Sequence, residues 1–187
     1  MGYYDTKKGI IEYSKRSQKW GGKKLFKILR KHLSKNSTLL EIGIGPGRDF
    51  NYLKKIYSAA GSDKSKTFLD FYKKKNKKAD LLKLDAVTLK TKRKFDGIYS
   101  NKVLQHLTKR ELGKSIKKQK EILNQNGIAF HTFWKGNKTE YKRGLRFVYY
   151  EKKHLKKIIG KDFKIVEMKV FTEMEKNDSI YIVLKKM

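Results

Sequence analysis

The sequence predicts an α/β domain built on a mostly parallel sheet, and three observations predict it. Short branched or aromatic runs alternate with amphipathic stretches of helical period, the pattern of strands and crossover helices. A glycine-rich stretch, LLEIGIGPGRDF (39–50), joins the first such run to the first crossover helix. The chain has 187 residues, a single proline and no internal repeat or linker, which suits one domain.

Residues 9–33 read as helical, with Ile10, Tyr13, Leu25, Ile28, Leu29 and His32 on inward faces. With residues 1–36 as a whole they are expected to form a cap over the domain proper, 37–187. TLLEI (38–42) is the first strand, and Asp49 starts a helix on which Phe50, Leu53 and Ile56 or Tyr57 share a stripe. SAAGSD (58–63) stands where a second strand belongs, although its small residues have poor strand propensity. Residues 65–77 are helical and carry Phe68, Leu69, Phe71 and Tyr72; ADLLKLDA (79–86) and KFDGIYSN (94–101) are the third and fourth strands. Thr108 to Glu111 form a capping box for a long helix that Asn126-Gly127 is expected to end. IAFHTFW (128–134) is a fifth strand, and residues 149–160 are a helix closed by Gly160. DFKIVEMKVF and DSIYIVLKK finish the chain as two strands around a loop at 172–178, readable as a hairpin.

Composition excludes several classes. No cysteine is present, so there is no disulfide or thiolate site, and the four histidines show no ligand spacing, so no metal is expected. No apolar run is long enough to span a bilayer, and the first twenty residues lack the apolar core of a secretion signal; a soluble cytoplasmic protein is expected. The net charge is +30, but 41 of the 48 basic residues are lysine, and residues 1–36 and 64–94 hold similar excesses. Specific phosphate recognition leans on arginine, so a spread lysine surface is chiefly a solvated one, with RNA, DNA or an acidic substrate as the other reading.

A strand, a glycine loop and a helix N-terminus make a ligand cradle. The dinucleotide fingerprint fails, because Arg48 stands where a third Gly or Ala is needed, and no G-K-[ST] follows for a phosphate loop. Glu41 would repel a pyrophosphate but attract a ligand bearing an ammonium or sulfonium. S-adenosylmethionine (SAM) has both and no phosphate. Asp63, 20 residues after Gly43, is placed to accept from the ribose hydroxyls, and Asp85 from the adenine amino group, beside Leu84 and Ala86.

On these segments the chain resembles the class I SAM-dependent methyltransferases from about residue 37 to its end. LLEIGIGPGRDF looks like their first motif, GSDKS (61–65) their second, LLKLDA their third and FDGIYSNKVLQHL (95–107) their fourth; ILNQNGIAFHTFW resembles the helix and strand that follow, with Gln125 and Asn126 in place of a usual proline and glycine. Together with TEYKRGLRF (139–147), the set is similar to a small bacterial-type branch that includes tellurite-resistance-like enzymes. The resemblance implies a Rossmann-like three-layer sandwich of seven strands, mostly parallel with an antiparallel final strand and helices on both faces. It implies SAM as cofactor and S-adenosylhomocysteine (SAH) as product, with Gly43, Gly45 and Gly47 at the methionine end, Glu41 near the ammonium, Asp63 and Lys64 by the ribose, Asp85 and Ala86 at the adenine, and Asn101 in the methionine pocket.

Acceptor-side candidates follow the fourth and fifth strands. His106 is a candidate base, with a packing or capping histidine as the alternative; His131, Phe133 and Trp134 are candidate pocket residues, with ordinary core as theirs. Arg143 and Arg146 are placed to meet a carboxylate, though ion pairs with Glu140 or Glu151 account for them too. Tyr3, Tyr4, Tyr13 and Trp20 are candidate lid residues, and the insert 135–148 is the natural specificity element. A small-molecule acceptor is expected, with monomer and homodimer both open. An RNA or protein methyltransferase, or a non-enzymatic nucleic-acid binder on the same fold, are the alternatives that +30 keeps alive.

Overall fold

The computed structural model describes residues 6–17 and 22–187. Its elements run α1 (Lys7–Ser17), α2 (Lys23–His32), β1 (Thr38–Ile42), α3 (Arg48–Leu53), β2 (Ser58–Asp63), α4 (Lys66–Lys75), β3 (Leu81–Lys83), β4 (Phe95–Asn101), α5 (Lys109–Ile122), β5 (Leu123–Trp134), β6 (Thr139–Lys142), β7 (Leu145–Val148), α6 (Lys152–Ile159), β8 (Phe163–Phe171) and β9 (Ser179–Lys186). Seven strands form one sheet in the order β3-β2-β1-β4-β5-β9-β8. Neighbours from β3 to β5 pair in parallel, and β9, last in the chain, runs antiparallel between β5 and β8.

Side-chain alternation builds the three layers. Leu40, Ile98, Ala129, Ile180 and Ile182 face the apolar sides of α5 and α6, where Leu112, Ile116, Leu155 and Ile159 are buried with them. Their strand neighbours Leu39, Tyr99, Phe130, Tyr181 and Val183 face the other way, against Leu25, Phe26 and Leu29 of α2 and Leu53 of α3. Tyr99, Phe130 and Tyr181 stack across three strands at centroid separations of 5.6 and 5.8 Å. α2 turns its apolar stripe inward and leaves Lys24, Lys27 and Arg30 exposed.

β2 forms despite its composition because its neighbours need small residues. A Cβ on Gly61 would lie 2.8 Å from Ile44 and 3.1 Å from Phe50. Two expectations are corrected. The helix begun by the Thr108 capping box ends at Ile122, not at Asn126-Gly127: Leu123 already pairs with Phe95, the next pair is Gly97 with Ile128, and the excess residues form an excursion in which Asn126 takes φ +62. The third strand is only three residues long. Phe71 is exposed on α4, on the face away from Phe68, Leu69 and Tyr72. The insert 135–148 holds a hairpin, β6–β7, closed by Arg143 and Gly144, both with positive φ. No described helix is long and apolar enough to cross a membrane.

Candidate active site

An open cleft of about 1440 Å³ follows the carboxyl ends of β1, β2, β3 and β4 and continues between the β6–β7 hairpin and the 172–178 loop. Its first half is built on the glycine loop. Gly43 passes so close to Val103 that a Cβ would approach it to 2.7 Å, and Gly47, with φ +83, starts α3 where a Cβ would meet the Tyr72 ring. Gly43 and Gly45 line the cleft; Gly47 does not, which corrects the expectation that it borders a ligand. It serves the turn into the helix instead.

Glu41, Asp63 and Asp85 all line the cleft. Glu41 is 3% exposed, and its Oε2 has no hydrogen-bond partner among the described residues. Burial pushes its carboxyl well above the usual range, with the charges of Asp49 and Asp63 adding to the effect. Asp63 Oδ2 accepts the Gly45 N–H at 3.0 Å and Oδ1 the Ser65 N–H at 2.9 Å. Asp85 pairs with Lys64 at 3.0 Å and accepts the Val87 N–H at 2.7 Å. Burial alone would raise it; the bonds from Lys64 and the Val87 and Thr88 backbone outweigh that and hold it low.

Asp49, which the sequence marks only as a helix start, is a hub. One oxygen accepts from Tyr99 Oη at 2.9 Å and Asn101 Nδ2 at 3.0 Å; the other accepts the Gly22 N–H at 3.2 Å. Asn101 Oδ1 in turn accepts from Thr132 at 2.6 Å. An acid in the first turn of α3 thus ties β1's loop, the end of β4 and the start of α2 together.

Lys102, with φ +56, is a second residue that sequence reasoning passed over. Its ammonium lies 3.3 Å from the Trp134 ring centroid, 2.9 Å from Glu173 Oε2 and 2.6 Å from Ser179 Oγ. Burial lowers its pKa to about 8 against the opposing pull of Glu173. The clamp joins the end of β4 to the 172–178 loop, whose backbone N–H groups at 173, 174 and 175 converge on Asp178. The sequence offers no signal for a partnership spanning that distance.

In the second half, His106 Nδ1 donates to the Arg146 carbonyl at 2.7 Å, which leaves Nε2 as the basic nitrogen. Burial lowers its pKa, and the nearby Arg146 charge also opposes protonation. Arg146 pairs with Glu111 at 2.9 Å, not with Glu140 or Glu151; Glu140 pairs with Lys142 at 2.8 Å and with Lys138. Tyr13, Trp134 and Arg143 line the cleft, as does Gln105, which is 2% exposed and whose Oε1 has no hydrogen-bond partner among the described residues. His131 and Phe133 do not: both side chains point into the core between sheet and α5 or α6, at 0% and 1% exposure, which corrects their assignment to an acceptor pocket. Trp20, Tyr3 and Tyr4 lie outside the described residues. No group of three His, Cys, Asp or Glu among the described residues is arranged to hold a metal.

A family model described as "Methyltransferase domain" matches residues 39–127, the stretch that supplies most of the cleft's first half. A ubiquinone biosynthesis O-methyltransferase of Pelagibacter ubique is 35% identical over 101 residues, 51% of this chain; the chain spans only 41% of that protein's length. Two solved structures share the fold. The N-methyltransferase NodS of Bradyrhizobium japonicum, solved with SAH, superposes with a TM-score of 0.70 at 16% identity, covering 91% of this chain and 90% of its own. TehB of Haemophilus influenzae gives 0.67 at 19%, covering 86% and 60%. Residues 39–127 are thus similar to a methyltransferase domain, and the chain shares the fold of solved SAM-dependent methyltransferases.

Proposed function

We propose that the protein transfers a methyl group from SAM to a small-molecule acceptor. The observation that carries the reading is the Glu41 carboxyl, buried in the cleft with one oxygen unpartnered among the described residues. Ionising a buried carboxyl with an oxygen lacking a donor is costly, which is why its pKa is raised, and an arriving ammonium group answers that cost and draws the carboxyl back to its charged form. The backbone of Gly43 and Gly45 would border the methionine end, with Asn101 behind it, held by Asp49. Asp63 already accepts two backbone N–H groups, but each carboxylate oxygen has a second lone pair for a ribose hydroxyl. Asp85 and Ala86 would border the adenine, and Lys64 keeps Asp85 ionised.

When bound, SAM supplies an electrophilic methyl group on a positively charged sulfur. The protein's part is to align an acceptor lone pair and exclude water. Tyr13, Trp134 and the β6–β7 hairpin wall the acceptor half, and Arg143 on that hairpin would border an acidic group on the acceptor. His106, neutral and with its tautomer set by the Arg146 carbonyl, is the candidate to take the acceptor's proton.

Charge distribution favours a small molecule over a polyanion. Nine of the chain's 18 acidic residues line the cleft, matched by nine of its 48 basic ones, so among the described residues the cleft carries no net charge and the +30 excess lies elsewhere. A nucleic-acid channel would be lined by the excess. The test is to incubate the protein with methyl-labelled SAM and, separately, a small-metabolite extract and total RNA. Label in a small molecule is the expected result; label confined to RNA, or to the protein fraction, overturns the acceptor class.

A further inference from the structure

Four fully buried polar side chains on the α5 side of the sheet form one continuous hydrogen-bonded chain. Ser100 Oγ lies 2.8 Å from His131 Nδ1, His131 Nε2 lies 2.7 Å from Gln119 Oε1, Gln119 Nε2 lies 3.2 Å from Ser115 Oγ, and Ser115 Oγ lies 2.6 Å from the Ala86 carbonyl oxygen. Each of the four side chains belongs to a residue at 0% exposure.

The terminal carbonyl fixes every proton in the chain. A carbonyl oxygen only accepts, so the Ser115 hydroxyl donates to Ala86 and accepts from the Gln119 amide N–H. That turns Gln119 Oε1 toward His131, whose Nε2 therefore carries the hydrogen. Nδ1 is then the acceptor for the Ser100 hydroxyl. Each link of the chain pairs a donor with an acceptor, from β4 through β5 and α5 to the loop after β3. Burial holds His131 at a pKa of about 3, so this neutral tautomer persists across the working pH range.

Apolar side chains would fill this space at no desolvation cost, whereas a continuous buried hydrogen-bonded chain fixes the geometry of what it touches. The part of it that reaches the cleft is Ala86. The loop from Leu84 to Val87 needs such a tie, since β3 ends after three residues and Lys64, which grips Asp85 from the cleft side, is 80% exposed and holds weakly.

We propose that Ser115 and Gln119, neither of which lines the cleft, are positioning residues that set the adenine-reading loop through the Ala86 carbonyl. This rests on the reading above that SAM places its adenine at Asp85 and Ala86. The loop's selectivity for the 6-amino group then depends on a serine in the next layer of the fold.

The test compares the binding of SAH and of S-inosylhomocysteine, its 6-oxo analogue, to the full-length chain by calorimetry. Wild type should prefer SAH by tenfold or more; Ser115→Ala should weaken SAH by about tenfold and shrink the preference to about threefold, the loss of one well-placed hydrogen bond. Ser115→Cys, nearly isosteric with a weak donor, should fall between, and Gln119→Met, which keeps volume and removes the donor to Ser115, should follow the alanine variant. These two carry the test if the alanine variant fails to fold. A lowered melting temperature with the SAH preference unchanged in the variants overturns the positioning role while leaving the cofactor reading intact. Failure of wild type to bind SAH at all overturns both.

Discussion

Asp63 and Gly45 are joined by a 3.0 Å hydrogen bond from the glycine's backbone N–H to Oδ2, so the acid at the end of β2 shapes the loop that leaves β1. The same carboxylate caps the approach to α4 through the Ser65 N–H. A residue expected to face ligand therefore also builds the cradle. Asp63→Ala should cost the ligand-free protein about 1–3 kcal/mol, because two backbone donors lose their acceptor. Asp63→Asn, which keeps one acceptor oxygen, should recover about half, read by chemical denaturation.

Glu41 makes a prediction of the opposite sign. Its folded-state pKa is raised by burial, so the folded chain holds the proton to higher pH than the unfolded chain does. Stability then falls as pH rises from about 4.5 through the folded pKa. Glu41→Gln should melt higher than wild type at pH 8, and the difference should close as pH approaches 4.5. Equal melting temperatures at pH 8 would contradict the buried charge.

The Lys102–Trp134 contact is optically addressable. In a Trp20→Phe background, Trp134 fluorescence should titrate with a midpoint of about 8 as the ammonium over its ring loses its proton. Lys102→Met should abolish the transition. A midpoint near 10 in the parent would show the ammonium to be solvated.

The His106 imidazole bonds the Arg146 backbone carbonyl, and the Arg146 guanidinium donates to the His106 carbonyl at 3.2 Å, so the Arg146 side chain acts on the imidazole itself through charge. Arg146→Ala should raise the His106 pKa in a histidine NMR titration while costing about 1–2 kcal/mol of stability, since it removes the partly exposed Glu111 pair and the bond to the His106 carbonyl. His131 should stay neutral down to about pH 3 in both proteins, serving as an internal control.

The sequence was most legible where a local rule governs. Alternation and capping gave β1, β4, the start of α5 and the end of α6, and three acids at three strand ends lie in one cleft. β2 defied propensity because Gly61 answers to Ile44 and Phe50 from other segments. The β6–β7 hairpin went unread although its two-residue turn, Arg143-Gly144, was in plain view between four-residue flanks. His131 and Phe133 were separable from Trp134 by the two-residue period of a strand, which sends the odd positions into the helix-covered core. Asp49 and Lys102 were not readable, because their partners at Tyr99, Asn101, Glu173 and Ser179 arrive only with the tertiary fold.

The central claim is that the unpartnered Glu41 oxygen and the Asp63 carboxylate form one binding slot for SAM. Calorimetric titration of SAM into wild type, Glu41→Gln and Asp63→Ala tests it most directly. One-to-one binding to wild type, weakened about tenfold or more by Glu41→Gln and lost with Asp63→Ala, is the expected result. Equal affinity in all three proteins, or no heat with wild type, would contradict it.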